Sequence, residues 1–312
     1  MTAAPLILVP STPGQDWIRE AVPWATPAEL LMAGKRFIDY AIEGVINVDG
    51  PFVEILDACP SPRLAAYFGE KARIKVPVFY LPMQEHPPKG LGDLSRCSIP
   101  FAPGATNDIY VFWGLALPRC LPEGLAETVV SDADIAQTPC GFYHFRDGTW
   151  RRVLAKGLFL RDISAWHQAN LEILRNPEFY NLPGYVSDKD VHLGRNVVLE
   201  HGTEVHGPAL LKDNVWCARN VQIDGDVIVG NGSFIGEGVI LRRTVVGPNT
   251  YIGKGLEFVD KIVLGRRVFD AKTGAWIDIE EPGIVQYISA FDKGWFAKLM
   301  RFIAGTSRGR HG

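Results

Sequence analysis

The sequence predicts an α/β domain with a mostly parallel sheet, followed by a parallel β-helix. Three observations carry that reading. From about residue 187 the chain is periodic in sixes. Before about residue 183, apolar runs of strand length alternate with helical candidates. Between the two lies "DISAWHQANLEILRNP", a stretch patterned as a joining helix. Alternating strand and helix argues for a parallel sheet, and a hexad repeat with glycine or asparagine at its turns argues for a β-helix.

The strand candidates are "PLILV", "FVEILDA", "KVPVFYL", "IYVFWGLAL" and "CGFYHF", with helices expected over 27–45 and 62–70. In the fourth run Trp113-Gly114 precedes Leu115, where the chain should turn out of the sheet. The joining helix has Asp162 or Ser164 as its N-cap and Asn176-Pro177 as its stop. The sixes then read LGRNVV, LEHGTE, VHGPAL, LKDNVW, CARNVQ, IDGDVI, VGNGSF, IGEGVI, LRRTV and, after one missing residue, VGPNTY, IGKGLE, FVDKIV, LGRRVF. Their first positions should point inward: Leu193, Leu199, Val205, Leu211, Cys217, Ile223, Val229, Ile235, Leu241, Val246, Ile252, Phe258 and Leu264. The fifth positions are small or β-branched, with Leu256 the bulkiest. About four coils follow, and the expected divisions are 1–183, 184–282 and a tail over 283–312.

At 312 residues and 47% apolar content the chain can bury a sizeable core. A net charge of −3 argues against nucleic acid as the main partner. The five cysteines, Cys59, Cys97, Cys120, Cys140 and Cys217, are scattered and form no C-x-x-C pair, which suits buried thiols in a reducing compartment. The opening "MTAAPLILVPSTPGQ" lacks a basic n-region and is broken by Pro10 and Pro13, unlike a signal peptide. No apolar run reaches the ~18 residues of a membrane span. A cytoplasmic protein is expected.

Several segments carry a resemblance. "AGKRFIDYAIEGVI" (33–46), "FYLPMQEHPPKGLGD" (79–93), "CGFYHF" (140–145) and "FLRDISAWHQANLEIL" (159–174) resemble the sugar nucleotidyltransferases, or nucleotide-sugar pyrophosphorylases, from near the start to about residue 282. The resemblance implies a nucleotidyltransferase-like sheet domain and a left-handed β-helix of hexapeptide repeats. It also implies attack of a sugar-1-phosphate on the α-phosphate of a nucleoside triphosphate. Such catalysis is positioning plus neutralisation of phosphate charge.

Three devices serve that reaction in the family, and this chain departs from each. The glycine-rich phosphate loop is matched by "LILVPSTPGQDW", with Ser11 and Pro13 at glycine positions and Gln15 at the arginine. Proline has no N–H and fixes φ, which opposes a phosphate cradle. The lysine that follows is matched by Ala28. Of the two aspartates that hold Mg²⁺, the second is matched by Asp162 and the first by Leu115, which offers a hard cation no oxygen. No cofactor is therefore expected to be required, with Mg²⁺ involved if the chain is active.

Gln84, Gly90, Gly92 and Gly141 stand where the family reads the base and approaches the sugar. They are either a retained nucleotide or nucleotide-sugar site, or turn glycines and a surface glutamine kept from a shared fold. The resulting expectation is a non-catalytic binder, or an assembly partner in polysaccharide synthesis. Its alternatives are an active sugar-1-phosphate nucleotidyltransferase and a hexapeptide-repeat acyltransferase. The latter class uses a histidine base, for which His192, His201 and His206 are candidates against a surface-turn reading. His86 reads as an exposed loop residue and His144 as a strand residue facing a neighbour.

The tail "AFDKGWFAKLMRFIAGTSRGRHG" places Phe291, Trp295, Leu299, Phe302 and Ile303 on one helical stripe beside Lys293, Lys298, Arg301, Arg308 and Arg310. Residues 291–303 suit a helix docked on protein, through the β-helix or a second subunit, or one lying on anionic lipid at the inner face of the membrane.

Overall fold

The computed structural model describes residues 4–45, 52–71, 76–83, 88–94, 108–118, 126–131, 140–187, 190–281 and 283–288. The chain divides into two compact units, Met1–Leu182 and Pro183–Gly312. Among the described residues no helix is long and apolar enough to cross a membrane.

The first unit is built on strands β1 (Leu6–Val9), β4 (Val53–Asp57), β5 (Val78–Pro82), β6 (Asp108–Trp113), β8 (Glu127–Val129), β9 (Gly141–Arg146) and β10 (Thr149–Val153). Their order across the sheet is β5-β4-β1-β6-β9-β10-β8. The pairs from β5 to β6 are parallel, whereas β9, β10 and β8 add antiparallel strands. The expected mostly parallel sheet is thus parallel in one half and antiparallel in the other. The direction changes at β9, which lies antiparallel to β6, and β10 is turned back onto β9 at Asp147-Gly148, where φ is 51° and 73°. Two successive residues with positive φ make the tight turn that reverses a strand onto itself, and Asp-Gly is its preferred sequence.

The helix expected over 27–45 is also shorter. Pro27–Glu29 is a 3₁₀ turn, and β2 (Leu31–Met32) pairs with β3 (Lys35–Arg36) before α2 (Phe37–Val45) begins. Ala33 and Gly34 have φ of 38° and 80°, so this is a second hairpin. It is held from outside: Asn170 Oδ1 accepts from Ala33 N at 2.7 Å, and the Trp166 indole N–H donates to Leu31 O at 2.9 Å. The other helices are α1 (Asp16–Ala21), α3 (Pro62–Lys71) and α4 (Ile163–Arg175), the last ending at Asn176 as expected. Ile7, Val9, Leu56, Val111, Trp113 and Tyr143 form a core on one face of the sheet.

In the second unit, successive strands go to three sheets in rotation. After β12 (Tyr185–Val186) come β13 (Val191–Leu193), β14 (Val198–Leu199) and β15 (Glu204–His206), one in each sheet. Each pairs in parallel with a strand one coil later. This arrangement is compatible with a parallel β-helix. Val215, Cys217, Val221, Ile223, Ile235 and Leu241 fill its interior, each fully buried. At the corners, side chains stack on glycines or on one another. A Cβ on Gly202 would overlap the Asn220 amide oxygen, and the Asn196 amide donates to Asn214 Oδ1 at 3.1 Å.

The hexad register slips once more than the sequence suggests. Val246 pairs with Val263, not Leu264, so Val263 takes the inward place. A residue is lost at the corner of Asp260 (φ 56°), as at Arg243 (φ 43°) one coil earlier. The two short corners are joined, with Arg243 Nη2 donating to Asp260 Oδ2 at 2.8 Å. Lys272 Nζ lies 3.2 Å from the same carboxylate oxygen. Residues 283–288, assigned above to the tail, belong to the coil. Val285–Tyr287 pairs antiparallel with Thr250–Ile252, and Val285 is fully buried in the interior. The segment 291–303 lies outside the described residues.

Two outcomes test this packing. Ile235→Ala should cost about 2–5 kcal/mol in chemical denaturation, because the coil cannot close around the lost methylenes. The Arg243 hydrogen bonds, with help from Lys272, hold the Asp260 carboxyl down at about 2. A carboxylate depressed below its unfolded value of about 3.9 stabilises the fold above that pH. That stability fades as pH falls towards 2. Asp260→Asn should flatten this part of an acid-denaturation profile.

Candidate functional site

Open α/β sheets gather their functional groups at the carboxyl ends of the strands. There, beyond β1 and β4, lies a pocket of about 540 Å³. Its walls include Ser11 to Gln15, Arg19, Thr26, Cys59 and Lys89. The volume is that of a small-molecule site.

Asp57, the last residue of β4, organises these walls. Its side chain is fully buried. Oδ1 accepts from Ser11 Oγ at 2.7 Å and from Cys59 N at 3.0 Å, and Oδ2 from the Tyr80 hydroxyl at 2.9 Å. Burial, with Asp57 beside it, pushes the Tyr80 phenol well above its ordinary value, so it remains a donor. One carboxylate thereby ties the loop after β1 to the turn after β4 and to β5. The β1 loop is closed further by Gln15. Its amide donates to Pro10 O at 2.9 Å and accepts from Thr12 N at 3.0 Å. Glu29 fixes the neighbouring wall, accepting from Ser61 Oγ at 3.0 Å and Thr26 Oγ1 at 3.2 Å.

The residues that the resemblance matches to catalytic positions fall as follows. Ala28 is fully buried within the 3₁₀ turn and does not line the pocket. Leu115 follows Gly114 (φ 69°), where the chain leaves β6 for β7 (Ala116–Pro118), and is fully buried. Strand β11 (Gly157–Phe159) pairs with β7, and Leu160 N donates to Leu115 O at 3.0 Å. Pairing thus brings the chain segments of Leu115 and Asp162 together. The Asp162 side chain accepts from Ala165 N at 2.7 Å and is the N-cap of α4. A leucine and a capping aspartate do not make a two-carboxylate Mg²⁺ site, so the residues present do not fit that ion. Neither lines the pocket.

Of the expected base and sugar positions, Gly90 precedes a 3₁₀ turn over Leu91–Asp93, and a Cβ on it would meet no protein atom within 4 Å. Its neighbour Lys89 lines the pocket. Gly92 is exposed. Gly141 opens β9, where a Cβ would stand 3.1 Å from the Tyr143 ring. Gln84 lies outside the described residues, as do His86, Cys97 and Cys120.

His201 and His206 are exposed, while His192 is buried, which holds its imidazole below the ordinary value. Cys140 and Cys217 are buried, and burial pushes the Cys217 thiol up to about 12. Cys59, expected to be buried, is exposed at the pocket because it follows the Asp57 turn. His144 does face neighbours: Nδ1 meets Glu127 at 2.6 Å, Nε2 meets Asp108, and the ring stacks on Tyr110 at 4.3 Å. The carboxylates sit on opposite ring nitrogens, so the group ties β6, β9 and β8 together.

The two roles open to Asp162 predict different variants. As an N-cap, Asp162→Ala should cost about 1 kcal/mol, whereas Asp162→Asn, an equally good cap, should stay within a few tenths. Equal destabilisation of both variants in urea titrations would contradict the capping role.

Comparison with known proteins gives a partial match. Over 120 residues the chain is 28% identical to a UTP–glucose-1-phosphate uridylyltransferase of Synechocystis sp., covering 38% of this chain and 31% of that protein. The chain therefore matches about a third of that relative's length. The similarity supports a relationship to the sugar nucleotidyltransferases. No family model matches the chain.

Proposed function

We propose that this chain is a nucleotidyltransferase-like protein with a left-handed β-helix, and that it binds a nucleotide or nucleotide sugar without catalysing transfer. Its role would be regulation or assembly in nucleotide-sugar or polysaccharide metabolism. What supports the non-catalytic part is that Leu115, matched by sequence resemblance to the family's first metal aspartate, is a fully buried apolar residue. What supports binding is the pocket beyond β1 and β4, with Arg19 and Lys89 on its walls. Partial similarity to a uridylyltransferase makes uridine nucleotides the first ligands to try. The same similarity favours a second reading, an active sugar-1-phosphate uridylyltransferase.

A thermal-shift series with UTP and UDP-glucose tests binding. A ligand that binds only the native state at a hundredfold its Kd adds about 2.7 kcal/mol of stability. UDP-glucose should raise the Tm, and Lys89→Ala and Gly90→Val should each reduce the rise. Gly90→Val should leave the Tm of the free protein nearly unchanged, since its Cβ faces open space. No shift with either ligand would count against binding. Mg²⁺-dependent pyrophosphate release from UTP and glucose-1-phosphate would refute the non-catalytic part and establish the second reading.

A further inference from the structure

The three faces of the coil differ in the side chains they turn outward. Along each short strand, outward residues alternate with those that fill the interior. On one face the outward column is Glu204, Gln222, Ile240 and Glu257, mostly polar and exposed. On another it is Leu210, Ile228, Val245 and Ile262, aliphatic and buried. The third column is Val198, Trp216, Phe234 and Tyr251, whose neighbours Cys217, Ile235 and Ile252 point inward. Its rings stack, with centroids 6.5 Å apart between Trp216 and Phe234 and 5.6 Å apart between Phe234 and Tyr251. Phe234 faces out of the coil yet is only 6% exposed, as expected of a face that is packed upon. Large apolar side chains gathered on the outside of a fold mark an interaction surface.

The described chain ends on this same sheet. Val285–Tyr287 is its last strand, antiparallel to Thr250–Ile252, and Ile288 N donates to Asn249 O at 2.6 Å. Phe291 follows three residues later, so even a fully extended chain keeps it within about 10 Å of that corner. From there Phe291, Trp295, Leu299 and Phe302 recur at the spacing of one helical face. At about 1.5 Å per residue, that stripe is roughly 16 Å long. With strands about 4.8 Å apart, the column from Tyr251 to Val198 is roughly 14 Å long. The two match in composition as well, since each carries three aromatic rings and one aliphatic side chain. Aromatic pairs add to what area burial alone provides.

We propose that residues 291–303 form a helix lying along the aromatic face of the coil that they leave. Phe291 is placed beside Tyr251, and Phe302 towards Val198, so the helix runs back from the last coil to the first. Lys293 and Arg301 fall on the side of the helix away from the stripe, where they stay in water. The occupant is this chain's own tail because the tail starts at the column and has the length and the rings to cover it. Its apolar stripe is then used within one molecule, and neither a lipid surface nor a second copy is needed to cover it.

Limited trypsin digestion of the full-length chain in lipid-free buffer, read by mass spectrometry, tests the proposal. Cleavage after Lys293, Lys298 and Arg301 should be about tenfold slower, or more, than after Arg308, because a docked helix must detach before it is cut. Tyr251→Glu on the coil and Trp295→Glu on the tail should each remove most of that protection. The double variant should lose no more than either alone, since both break one contact. Val198→Glu, at a position 37% exposed, guards against a folding defect at 251. It should speed cleavage after Arg301 more than after Lys293. A wild-type tail cut as fast as Arg308, or protection that survives Tyr251→Glu, overturns the proposal. Protection that grows with protein concentration overturns it in favour of a second copy. A Val198→Glu without the stated preference overturns the direction of the helix.

Discussion

A buried carboxylate is expensive unless donors surround it, and Asp57 has three. Ser11, the Cys59 amide and Tyr80 come from the loop after β1, the turn after β4 and strand β5, so one side chain ties three segments at the carboxyl-end pocket together. Breaking this set by removing one partner is far costlier than its net contribution suggests. The consequence reaches the loop above it. An anion cradle requires backbone N–H groups aimed at the ligand, and here Thr12 N donates to the loop's own Gln15. Gln15, which the resemblance matches to an arginine, closes the loop on itself. Loop closure and phosphate capture compete for the same donor, and closure has it.

Leu115 and Asp162, the two positions that the resemblance matches to metal aspartates, also serve packing and local structure. Strand pairing still brings their segments together, as it would for two metal ligands. One has joined the apolar interior and the other caps α4. A shared backbone arrangement does not fix the groups it carries, so the function must be argued from the site and not from the fold.

The repeat region was legible because its period recurs over many sixes, so single deviations do not hide it. The slip at Asp260 was not legible, since the residue is lost from a corner, where almost any polar sequence is allowed. Lys261 then falls in a place that is small or β-branched in earlier coils. In the first unit β1, β4, β5, β6 and β9 were legible as apolar runs, but β8 and β10, with polar sequences, and the strand directions were not. Asp147-Gly148 carried the signal for the hairpin, and the apolar periodicity of 27–45 masked the turn at Ala33-Gly34. The site was the least legible part. Ser11 and Asp57 are 46 positions apart, and His144 and Asp108 are 36 apart, so neither pairing leaves a local pattern. Only the fold makes them neighbours.

What the pocket can hold follows from where its charges sit. Arg19 and Lys89 are both exposed. A charge pair about 4 Å apart in water gains only about 1 kcal/mol, and salt reduces it further. Two such cations give a polyanionic ligand orientation more than affinity. For the proposed nucleotide ligand, the rest of the affinity would come from burial against the walls that Asp57 and Glu29 hold in place. That distribution suits retention of a ligand. Transfer needs the opposite, with charge concentrated in a water-poor site around the reacting phosphate, where electrostatic stabilisation is largest. Leu115 and Ala28, which the resemblance matches to two of the family's catalytic positions, are both fully buried apolar residues, and the proposed absence of transfer rests on that match.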